Sequence, residues 1–94
     1  MGDVLSMSLH LSWNAPICID TPHRLLKVVR TPDEALAVMS HSWPDGARAP
    51  SYFSAKRACI AALCGNGSSH VARDKFVTAC REAQIRFKLM PTLQ

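Results

Sequence analysis

The sequence predicts one small α+β domain, an N-terminal antiparallel β-hairpin followed by three helices in the order β-β-α-α-α. Three observations predict it. Apolar and polar residues alternate from Trp13 to Asp20, the period of a half-buried strand. Thr31-Pro32-Asp33-Glu34 spells a helix start. Gly65-Asn66-Gly67 interrupts two stretches whose apolar residues recur at helical spacing.

Each element follows in order. Residues 1–12 read as a weakly ordered lead-in to a domain spanning 13–88, and 89–94, containing Pro91, as a frayed tail. In the first strand Trp13, Ala15, Ile17 and Ile19 share one face, and Asn14, Pro16, Cys18 and Asp20 share the other. Pro16 has no N–H to give a ladder, which predicts an edge strand or an interrupted edge. Asp20-Thr21-Pro22-His23 has turn chemistry, and residues 24–30, rich in aliphatic and β-branched side chains, form the second strand. A lone hairpin is marginal in water, so it must pack on the helices.

In the first helix Thr31 is the N-cap, Pro32 the first helical residue and Glu34 the partner of a capping box. Asp33 and Glu34 lie at the positive end of its dipole. The helix runs through Ala35, Leu36, Val38 and Met39 toward Trp43, and Pro44 stops it. Ser51 caps a second helix over 52–64 with a stripe of Tyr52, Ala55, Ala58, Cys59, Ala62 and Leu63. Gly65 suits a left-handed C-cap. Ser68 or Ser69 caps a third helix over 70–86, with Val71, Phe76, Ala79, Cys80, Ala83 and Phe87 along one side and Glu82–Arg86 as an i,i+4 pair.

With these elements placed, the chain resembles the small DUF982 family over about residues 13–87. The resemblance rests on an aliphatic helix ending in Trp43-Pro44, a second helix with Ala55, Ala58, Cys59, Ala62, Leu63 and then Gly65, and a third with Arg73, Phe76, Ala79, Glu82 and Ala83. The chain departs from the family pattern at Gln84, where a glycine is expected after Ala83, so the resemblance does not fix the end of the third helix. It implies a bacterial, cytosolic origin, chiefly among rhizobia and related α-proteobacteria, and a fold. The family is one of unknown function, so no catalytic or binding residue is carried over.

Composition bounds the function without naming it. Ninety-four residues make one domain. The net charge of +4 is mildly basic, and nucleic-acid binding would also need the cations clustered on one face. Cys18, Cys59, Cys64 and Cys80 lack a secretory context: Met1 to Ser12 contains no Lys or Arg and no clean apolar core. Reduced thiols in the cytoplasm are therefore expected, without a membrane span. Met1-Gly2-Asp3-Val4-Leu5-Ser6 fits the short N-myristoylation pattern, which matches often by chance.

The candidate chemistry is sparse. Cys59 and Cys64 are five apart, neither a redox pair nor a usual zinc spacing, and Cys59 and Cys80 fall on apolar faces, so core packing explains them. Cys64, at a helix end, is the thiol expected to be reactive. His10, His23, His41 and His70 share no short motif, and the carboxylates form no acid–base pair. No cofactor, metal or catalytic residue is expected. Gly67, Ser68, Ser69 and Arg73 surround a helix start that could hold an anion, although the P-loop spacing and lysine are absent and cap residues explain the same pattern. Tyr52 and Phe53 cannot both face the core, so an exposed Phe53 beside Lys56 and Arg57 would mark a contact patch. The expectation is a non-enzymatic interaction or regulatory module. Its partner would be another protein or a second copy, with a nucleic-acid-binding module as the alternative.

Overall fold

The computed structural model describes residues 12–13, 15–20, 26–44, 46 and 49–89. The expectations for residues 1–11, including the myristoylation pattern, and for Asn14, the turn at 21–23, Arg24, Leu25 and the end of the tail at 90–94 fall outside them. Six elements follow in chain order: β1 (Ile17–Asp20), β2 (Leu26–Val29), α1 (Pro32–His41), α2 (Pro50–Leu63), α3 (Ser69–Glu82) and β3 (Phe87–Leu89). The α+β class holds, and the sheet has three antiparallel strands in the order β2-β1-β3 rather than a hairpin alone.

This corrects the placing of the first strand. β1 is central, pairing Ile17 with Val29 on one side and with Leu89 on the other. Pro16 lies just before it, so the missing N–H interrupts no ladder position within the strand. Ile17, Ile19 and Val29 point to the helices and are fully buried. Cys18 and Val28 pair on the opposite face and are half-buried.

α1 begins as its sequence dictates. The Thr31 hydroxyl accepts from the Glu34 N–H at 3.2 Å, and the Glu34 carboxylate reaches back one residue further than expected, accepting from the Arg30 N–H at 2.7 Å. The helix stops at His41, two residues earlier than the approach to Trp43 suggested, and Trp43 instead turns into the core. α2 starts earlier than predicted. Ala49 is its N-cap, without a side-chain cap bond, and Pro50 takes the first turn, where its missing N–H costs nothing.

The two glycine-type ends of α2 and α3 are alike. Gly65 has φ of +82°, and Asn66 N–H donates to Ala61 O at 2.8 Å while Gly65 N–H donates to Ala62 O. At the end of α3, Ile85 N–H donates to Cys80 O at 3.0 Å and Gln84 N–H to Arg81 O. Gln84 occupies the left-handed position there with φ of +60°. α3 therefore ends at Glu82, and the chain reverses into β3. The helix expected over 70–86 is shortened, the Glu82–Arg86 helical pair does not form, and Phe87 packs on the core from a strand. β3 also includes Leu89, one residue past the expected domain limit.

α2 and α3 pack closely because their facing residues are small: Ala55, Ala62, Ala72 and Ala79 are all buried. Cys59 and Cys80 are buried with them. Val71, expected on this stripe, is 48% exposed, since Ala72 takes the inward position. An aromatic row crosses the core, from Trp13 to Phe76 (6.1 Å between ring centres), to Trp43 (6.2 Å) and to Tyr52 (5.4 Å). The Tyr52 hydroxyl is satisfied inside the protein, donating to Met39 O at 2.9 Å.

Candidate interaction surface

The residues considered for an anion site come together at the start of α3, and each has a structural use. Ser68 is the N-cap, its hydroxyl accepting from His70 N–H at 3.0 Å and Val71 N–H at 3.4 Å. A Cβ on Gly67 would lie 3.0 Å from the Ala61 Cβ, a tight contact, so glycine eases the close approach to α2 there. The Ser69 carbonyl accepts from the Trp13 indole N–H at 3.1 Å. Arg73 Nε donates to Ala15 O at 2.9 Å, which ties α3 to the chain entering β1.

The thiols and imidazoles are dispersed. Cys59 and Cys80 sit in the core, where desolvation pushes each thiol up to about 12, so neither supplies a thiolate at neutral pH. Cys64 is exposed and Cys18 half-buried. His41 and His70 are exposed on separate helices, while His10 and His23 lie outside the described residues. Among the described residues, no three His, Cys, Asp or Glu side chains are grouped to hold a metal ion.

Phe53, Lys56 and Arg57 do come together, on the outer side of α2. The buried stripe of this helix, Tyr52, Ala55, Cys59 and Ala62, turns the next positions outward. Phe53 is 50% exposed and Ile60 49% exposed, one on each side of Arg57. Pro50, Phe53, Lys56 and Arg57 line an open depression of about 710 Å³. The Phe53 ring stands edge-on against Tyr52, with centroids 5.0 Å apart and an interplanar angle of 89°. The Lys56 ammonium lies 5.3 Å from the centre of the same Tyr52 ring. The exposed phenyl ring thus continues the aromatic row of the core and is held at the surface by it. Ile60 was not singled out in the sequence. Its position seven residues after Phe53, on the same helical face, is the signal that finds it.

The sheet also exposes apolar side chains. Leu26 is 77% exposed at one end of β2 and itself lines a shallow depression with Cys18, Ile19, Phe87 and the stems of Arg86 and Lys88. Among the described residues, two large apolar side chains are thus exposed on α2 (Phe53 and Ile60, one helical face), two on separate strands of the sheet (Leu26 on β2 and Leu89 on β3) and one on α3 (Val71).

No described helix is long and apolar enough to cross a membrane. No curated protein and no solved structure matches the chain. The family model described as "Protein of unknown function (DUF982)" matches residues 15–87, from the approach to β1 to the first residue of β3. With most of its length matched in this way, the chain belongs to the DUF982 family.

Proposed function

We propose that this protein is a non-enzymatic interaction module whose contact surface is the outer face of α2. The observation that carries the reading is the pairing of half-exposed Phe53 and Ile60 around Arg57, with Lys56 alongside. Burying two half-exposed apolar side chains contributes about 2–3 kcal/mol. That is well short of the roughly 8 kcal/mol behind a micromolar complex, so the surface suits a transient contact supplemented by charge. The sheet edges compete less well. β2 has four residues and β3 three, and short edges are a common way to discourage strand pairing.

A second reading is single-stranded nucleic acid, since an exposed ring beside two cations can stack a base and hold a phosphate. Among the described residues, two of the other cations are placed away from that patch. Arg73 is engaged with Ala15, and Arg81 lies 5.9 Å from the Phe87 ring centre on another element.

The test is affinity capture from native cells with the tagged chain and with a Phe53→Asp/Ile60→Asp variant. The reading expects a protein bound by the parent, lost with the variant and insensitive to nuclease. A ligand lost on nuclease treatment, with a steep salt dependence, selects the nucleic-acid reading. Equal capture by both forms rules out the α2 face.

A further inference from the structure

We infer that the α2 face takes a partner helix, one with an apolar seam and a carboxylate at the level of Arg57. The inference rests on the α2 face being the contact surface and goes further by naming its occupant. Phe53, Arg57, Ile60 and Cys64 are spaced four, three and four apart, and all four are exposed. That is the spacing of residues that meet a second helix along one seam, with the two axes crossing at a shallow angle of about 20°. The stripe spans about three helical turns, long enough to set a helix in register. An extended strand would bind to an unpaired sheet edge, and the α-helical backbone of α2 offers none.

The charge pattern selects among helices. Residues 50–64 contain Lys56 and Arg57 and no carboxylate. Arg57 lies within the seam, between the two apolar side chains, so a partner covering Phe53 and Ile60 also covers its guanidinium. A guanidinium covered without a partner loses its hydration, and a carboxylate opposite it restores two directed hydrogen bonds. Lys56, at the flank, favours a second acid on the partner's adjacent edge. The same pattern argues against a second copy of this chain on this face. A symmetric α2–α2 contact brings Arg57 and Lys56 against their own kind, with no acid between them.

The experiment places a photo-crosslinking amino acid at position 53, 60 or, as a control, the exposed position 75, in the full chain in native cells. Cross-linked residues on the partner are then mapped by mass spectrometry. The inference expects adducts from 53 and 60 on one segment, at three- or four-residue spacing, with an Asp or Glu between them. It also expects Arg57→Glu, checked for an unchanged melting temperature, to reduce the adduct at 53 at least tenfold, and Arg57→Lys to retain much of it. Reversing the mapped acid to Lys should restore capture by Arg57→Glu. Adducts on an extended segment, on nucleic acid or on a second copy overturn the helix while leaving the α2 face as the contact surface. So does an adduct yield indifferent to Arg57→Glu. Yields at 53 and 60 no higher than at 75 overturn both.

Discussion

Gln84 shows how a single residue decides the chain's path. It holds the left-handed turn that ends α3, with φ of +60°, a region where a side chain costs about 1 kcal/mol and glycine costs nothing. Gln84→Gly is therefore expected to raise stability by about 1 kcal/mol, less the entropy glycine adds to the unfolded chain. The urea midpoint should rise at unchanged slope, and a fall in the midpoint would contradict the strain assigned to Gln84. At this scale the sequence was informative about caps. Thr31, Ser68 and Gly65 all take the positions their chemistry suggests. It was uninformative about Arg73, since only the folded chain brings Ala15 beside it.

Among elements, the strand ending the domain was the one missed. Ile85-Arg86-Phe87-Lys88-Leu89 alternates apolar and cationic residues, the period of a strand. The helical stripe running into Ala83 masked it, because with glutamine at the turn the chain shows no glycine stop. β3 then changes the meaning of Pro16. A proline near a strand reads as an edge marker, yet with β3 alongside, β1 is the centre of the sheet and the proline precedes it. The outer face of α2 was half legible. Adjacent Tyr52 and Phe53 require one ring to turn outward, so Phe53 could be picked out. Ile60 read as one more aliphatic residue in a helix already rich in them, and only the burial of Ala55, Cys59 and Ala62 shows it facing away.

For the whole molecule, the core contains two thiols that charge poorly. Burial raises Cys59 and Cys80 from their usual value near 9 to about 12. Between pH 9 and 12 the unfolded chain releases protons that the folded chain keeps, so stability falls as pH rises. The slope is about 1.4 kcal/mol per pH unit for each thiol, and the full stabilisation of the neutral thiols is present below pH 9. Across that window the two thiols together withdraw about 8 kcal/mol at most, a large share of the roughly 5–15 kcal/mol typical of a small domain. A Cys59→Ala/Cys80→Ala variant should lose stability less steeply from pH 9 upward in denaturant titrations. Parallel pH profiles would show that other groups set the alkaline limit.

The chain's own cysteines also test its contact surface. Cys64 is exposed at the end of the α2 stripe, Cys18 lies half-buried on the sheet, and Cys59 and Cys80 are enclosed. In the free protein, thiol labelling should modify Cys64 first, then Cys18, with the other two reacting only on unfolding. The decisive measurement is the labelling rate of Cys64 and Cys18 in the complex with the captured partner, relative to the free chain. If the α2 face carries the contact, Cys64 slows at least tenfold and Cys18 keeps its rate. An unchanged Cys64 beside a slowed Cys18 would move the contact to the sheet and contradict the account.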